Sequence, residues 1–140
     1  MTEVNFDFFT NLTNSADISE RERYKPLVDI INTYIGIENI EIFYPKFLFV
    51  NDRKLMIFVF QQEQVSVIKE VEDTTISLTT FKYNNLKVSE IYYTGAEEPV
   101  TLKLDFNTGE FFRLNNQTDT NNTWTDHFKN KITAIYKLIT

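Results

Sequence analysis

Residues 100–140 read VTLKLDF NTG EFFRLN NQTDTNN TWTDHFKNKITAIYKLIT, and the fold is decided in this stretch. Val100, Leu102, Leu104 and Phe106 alternate with Thr101, Lys103 and Asp105, which is the period of a half-buried strand. Asn107-Thr108-Gly109 tolerates positive φ, so the chain can reverse there. Glu110 to Leu114 then returns as the partner strand. A polar run from Asn115 to Asn122 leads into a closing helix, expected over residues 122–139. Its apolar stripe is Trp124, Phe128, Ile132, Ile135 and Ile139. Thr123 with Asp126 three residues on has the form of a capping box. A hairpin that feeds a one-faced helix predicts a plug laid against a curved sheet.

Upstream of this unit the pattern is again that of strands. Leu55 to Phe60 is apolar at every position, which predicts a central strand covered from two sides. Ile40, Ile42 and Tyr44 alternate up to Pro45, and Phe47 to Val50 reads as extended after a kink. Val65 and Val67 flank Ser66 in a third run. Ile76 and Leu78 change parity to Phe81 and Tyr83, and Leu86 and Val88 change parity to Ile91 and Tyr93. Such slips predict bulges or sharp bends, as in a barrel or an orthogonal sandwich. The turns use Asn and Asp, as in Asn51-Asp52 and Asn84-Asn85, because the chain has only three Gly and three Pro.

The first 37 residues read as helical. Phe6, Phe9 and Leu12 recur at helical spacing behind Asn5, a suitable cap. Ser19 and Glu22 form a second capping-box pattern, but Pro26 disfavours a helix running through it. The expected main helix therefore has Pro26 in its first turn, buries Leu27, Ile30, Ile31, Tyr34 and Ile35, and ends at Gly36. The expectation is an α+β fold in one domain: a helical extension (1–37), a β-meander (38–115) and a C-terminal helix (122–139). At 140 residues the chain suits one domain with its own core.

This order of elements resembles the pleckstrin-homology superfold. More narrowly, it resembles the small uncharacterised PH-like proteins of Gram-positive bacteria and their phages. Leu102 to Phe106, Asn107 to Glu110, Phe112 to Leu114 and the helix from Trp124 to Ile139 carry the resemblance. It implies a bent antiparallel barrel of about seven strands, an added N-terminal helix, and a C-terminal helix capping one open end. It implies no catalytic residues. Some PH-like domains bind inositol phosphates through basic residues after the first strand, and the matching positions here are Lys46, Arg53 and Lys54. Asp52 sits within that group, and the dense basic cluster of the lipid binders is absent.

Composition narrows the chemistry further. The formal charge of −6 argues against nucleic acid or an anionic membrane as partner. With no cysteine in the chain, disulfides, thiolate catalysis and cysteine metal sites are excluded. Met-Thr-Glu-Val-Asn at the start has no basic, apolar signal region, so a cytoplasmic location is expected. Phosphate-loop, HExxH and GxSxG patterns do not occur. His127 is the one histidine and reads as a boundary residue with its hydrogen bonds satisfied. Glu70, Glu72 and Asp73 read as a solvated turn, too few for a calcium loop. Glu20 to Arg23 reads as a solvated mixed-charge segment, and Lys129, Lys131 and Lys137 as a favourable end for the closing helix. In each of the pairs Phe43-Tyr44 and Tyr92-Tyr93 one ring is expected to face outward, where it could hold a partner. The functional expectation is a non-enzymatic protein-interaction module with no cofactor or metal. The alternative is a peripheral lipid-binding domain of the phosphoinositide type.

Overall fold

Strand β2 (Met56–Phe60) has no polar side chain, and the fold covers both of its faces. The computed structural model describes residues 3–72, 75–93, 95 and 99–140. The chain runs α1 (Phe6–Ser15), α2 (Ile18–Tyr34), β1 (Ile42–Lys46), β2, β3 (Gln64–Glu70), β4 (Ile76–Lys82), β5 (Leu86–Tyr93), β6 (Val100–Phe106), β7 (Phe111–Asn115) and α3 (Thr125–Ile139). Short 3-10 turns at Ile37–Asn39 and Tyr83–Asn85 precede β1 and β5. Two antiparallel sheets result, with orders β1-β2-β3-β4 and β5-β6-β7.

Alternation along β2 sorts the core into two clusters. Phe58 and Phe60 join Tyr44, Val65, Val67 and Phe81 against the inner face of the second sheet and the stripe of α3. Across that interface the Phe58 and Phe112 rings lie 5.3 Å apart, and those of Phe81 and Phe106 5.1 Å apart. Ile57 and Val59 join Phe43 and Ile68 on the opposite face, under Phe6 and Phe9 of α1 and Leu27 and Ile31 of α2. Full burial of such a side chain contributes about 1.5–3 kcal/mol, so each cover matters to the whole. The expectation for Leu55 to Phe60 is met.

Local signals explain the helices. Asn5 caps α1, its side chain accepting from the Phe8 N–H at 2.9 Å. Asp17 caps α2 in the same way from Glu20. This corrects the expected start: α2 runs through Pro26 and begins eight residues before it, because the Asp17 cap lies upstream of the Ser19 pattern. The N-terminal region is thus two helices. Gly36, at φ +86°, ends α2 and donates its N–H to the Ile31 carbonyl. Tyr34 is exposed rather than buried, while Tyr24 and Val28 join the stripe. Helix α3 starts at Thr125, and no side chain caps it; Asn121 instead holds the Thr123 N–H. The stripe itself is as expected, with Phe128, Ile132 and Ile135 fully buried and Trp124 and Ile139 packed at its ends.

Three strand expectations change. Residues 47–49 form a turn with Phe47 at φ +72°, not a continuing strand; Pro45 itself lies in β1, an edge strand where its missing N–H is tolerated. The β3–β4 register is unbroken, so the parity change in β4 is no bulge. Ile76 and Leu78 face the helices and Phe81 faces the second sheet, because this sheet is buried on both sides. The slip in β5 is a true irregularity, placed between Leu86 and Val88. Phe43 and Tyr44 are both buried for the same two-sided reason. The hairpin at 107–109 turns as expected, with Gly109 at φ +90°.

The sheets do not close into a barrel. Among the described residues no backbone ladder joins β1 to β7 or β4 to β5. On the β1 and β7 side a buried polar network stands in for one. The Tyr44 hydroxyl donates to Asp119 Oδ2 at 2.6 Å, and the Asn115 N–H donates to the same oxygen at 2.8 Å. Lys46 donates to the Arg113 carbonyl and lies 3.6 Å from Asp119 Oδ1. Burial raises the Asp119 carboxyl and lowers the Lys46 amine despite their mutual attraction, so desolvation outweighs pairing at both. Of the sequence features noted above, Asp73 lies outside the described residues.

Truncating Phe128 to Ala should destabilise the protein by about 3–5 kcal/mol, since the ring is fully buried and packs on Tyr44 at 5.0 Å. Lys137→Ala, exposed on the same helix, should cost under ~0.5 kcal/mol. Urea midpoints of the two variants check the contrast.

Candidate functional site

Among the described residues the outward face of the second sheet is only partly covered. The register sets its rows. Val88, Asp105 and Phe111 form one, Glu90, Lys103 and Arg113 the next, and Tyr92 with the buried Thr101 and Asn115 the third. The irregularity between Leu86 and Val88 turns Val88 outward while leaving Leu86 and Ile91 against the core. Phe111 and Phe112 are neighbours on opposite faces, so Phe112 enters the core and Phe111 faces solvent. Val88, Tyr92 and Phe111 are 39%, 48% and 52% exposed, which is high for such side chains on one sheet face. The Lys103 ammonium sits over the Tyr92 ring at 4.9 Å, and the Tyr92 hydroxyl donates to Glu90 at 2.6 Å. That carboxylate pushes the Tyr92 phenol above its ordinary range. The aromatic end of the face is therefore held in place by charges. Tyr93 is exposed too, with Lys129 over its ring.

The basic residues singled out in the sequence are brought together only in part. Lys46 and Arg53 flank the Phe47 ring, at 5.1 and 4.4 Å from its centroid. Lys46 is also engaged by Asp119 and the Arg113 carbonyl. Lys54 turns to the Val71 carbonyl at 3.5 Å. Of the acidic turn, Glu70 pairs with Arg23 of α2 at 3.0 Å. Among the described residues no group of three or more His, Asp and Glu side chains is placed to hold a metal ion.

A second feature lies on α3. His127 accepts the Val4 N–H at Nε2, 2.9 Å away, which ties the start of the described chain to the closing helix. Accepting at Nε2 requires a neutral ring with its proton on Nδ1. Burial, and then the charge of Lys131, lower the His127 pKa. Lys131 is itself buried, 6% exposed, and donates to the Phe43 carbonyl at 2.7 Å. Burial lowers its amine from the usual 10.5 to about 8. The sequence reading makes Lys131 a favourable charge for the end of the closing helix. Its signal was spacing: three residues after Phe128 and four before Ile135, it falls within the stripe. The two residues line a cleft of about 560 Å³ between the start of α1, the segment entering β1, and α3.

The sequence profile of one protein family, described as "Protein of unknown function (DUF3908)", matches residues 5–130. No curated protein and no solved structure matches the chain. No helix among the described residues is long and apolar enough to cross a membrane.

The Lys131 shift carries a signed pH prediction. The folded amine holds its proton less tightly than the unfolded one, so between about 8 and 10.5 the unfolded state binds more protons. Stability therefore rises with pH across that window. Relative to Lys131→Met, the wild type should gain stability from pH 8 to 10; parallel denaturation profiles for the two proteins would contradict the assignment.

Proposed function

We propose that this chain, which belongs to the DUF3908 family, is a non-enzymatic protein-interaction module that meets its partner on the outward face of β5-β6-β7. The observation that carries this reading is the exposure of Val88, Tyr92 and Phe111 on one sheet face, with Glu90, Lys103 and Arg113 set between them. Exposed aromatics among mixed charges are the composition of a partner surface, where buried rings supply affinity and charges fix register. Four strands, then three, then a closing helix also support a PH-like reading of the architecture. The reading includes a cytoplasmic site of action in bacteria or their phages. The net charge of −6 favours a protein over nucleic acid as the partner.

A second reading, a peripheral lipid binder, draws on Lys46 and Arg53 around Phe47. Asp119 offsets one of those two charges, so the attraction to an anionic surface is small.

Tyr92→Glu with Phe111→Glu should leave the melting temperature within a few degrees, because both side chains are about half exposed. Affinity capture from the native host, compared between the two proteins, should lose its specific partner with the double variant. Retention of the same partner at equal yield would overturn the surface assignment. Vesicles rich in anionic lipid should float with little bound protein. Strong flotation that disappears in Arg53→Glu with Lys54→Glu would make the lipid reading the leading one.

A further inference from the structure

The cleft beside α3 is independent of the sheet face and has a charge arrangement of its own. Lys131 sits in its floor with one acceptor among the described residues, the Phe43 carbonyl. An ammonium carries three donors, so two remain for a ligand. Leaving buried donors of a charged group unmet is costly, which makes an incoming acceptor favourable there. His127 does not compete as a cation, since its Nε2 accepts from Val4.

The rim has the opposite sign. Glu3, Asp7 and Glu41 line the cleft, are exposed, and form no ion pair among the described residues. Between floor and rim the wall is mostly apolar, from Phe6, Ile42 and Phe43, with Asn5 and Asn130 beside them and Ile37 exposed at the edge. A plain anion such as phosphate must pass three carboxylates to reach Lys131. A plain cation is attracted to the rim but meets Lys131 below it. A ligand carrying both charges and an apolar body satisfies each part. The volume of about 560 Å³ is within the range of small-molecule sites.

We propose that this cleft binds a small apolar zwitterion, an amino acid or short peptide, with its carboxylate on Lys131 and its ammonium among Glu3, Asp7 and Glu41. The apolar side chain then rests on Phe6, Ile42 and Ile37.

The test is an amide-resolved NMR titration of the full chain with leucine, phenylalanine and leucyl-leucine. Leucine amide, N-acetyl-leucine and inorganic phosphate serve as the comparisons. Saturable shifts confined to the segments around residues 3–8, 37–43 and 127–134 are expected from the zwitterions. Removing either ligand charge should weaken binding about tenfold or more, the loss of one charged contact. The relative affinity of leucine and leucyl-leucine distinguishes a free amino acid from a peptide. Lys131→Met should abolish the response. Glu41→Gln, at an exposed position, should weaken the zwitterions and leave the rest of the spectrum unchanged. No saturable shift, equal binding of the capped ligands, preferential binding of phosphate, or full affinity in Lys131→Met would each overturn the proposal. If Lys131→Met does not fold, Glu41→Gln and the capped ligands on the wild type decide it.

Discussion

The structure depends on one constraint: a strand with no polar face cannot border water. Met56 to Phe60 presents Phe58 and Phe60 to one side and Ile57 and Val59 to the other, all fully buried. A two-layer arrangement would leave one of those pairs in solvent. The helices α1 and α2 supply the second cover, so the first sheet becomes the middle of a three-layer packing. Its neighbours obey the same rule. Phe43 and Tyr44 in β1, and Leu78 and Phe81 in β4, pack in opposite directions from single strands. The second sheet is different, with one face on the core and one largely in water. That asymmetry supports the proposed partner surface.

Holding the two sheets together without a backbone ladder falls to Asp119 on the β1 and β7 side. Its carboxylate gathers the Tyr44 hydroxyl and the Asn115 N–H, while Lys46 approaches without a hydrogen bond. Taken as an ion pair it is a weak source of stability, because both groups are desolvated. Its contribution is directional: the Tyr44 hydroxyl and the Asn115 N–H both reach it in one relative placement of the sheets. The Phe47 N–H donates to the Asp119 carbonyl and fixes the turn after β1 to the same residue.

Much of the fold was legible wherever one physical signal acted alone. The 100–115 hairpin, the two-sided strand, the Asn5 cap and the α3 stripe follow from period and turn chemistry. Errors arose where two signals competed. Pro26 outweighed the Ser19–Glu22 capping pattern in the reading, but one lost hydrogen bond inside a seventeen-residue helix is overcome by packing of Tyr24, Leu27, Val28 and Ile31. In β4, two parities look the same whether a strand bulges or is buried on both faces, and only pairing separates them. The sites were less legible. Val88 and Phe111 face outward because of a register shift and a neighbour's choice of face, neither of which a single sequence displays. Lys131 was visible by spacing but read as a charge suited to the helix end, since its burial depends on residues 3–7 and the segment entering β1 packing beside α3. The Asp119 network joins residues far apart in sequence, within a loop that reads as merely polar.

The most direct test of the two-cover account is native-state hydrogen exchange on the full chain. If both covers are required, the amides of Ile57, Phe58 and Val59 and those of Ile31 and Ile35 in the helical layer should exchange only by global opening. Their free energies should be equal and should match the unfolding free energy from denaturant. Early exchange of α2 while β2 keeps its protection would contradict the account, because the helices would then be an appendage rather than half of the core.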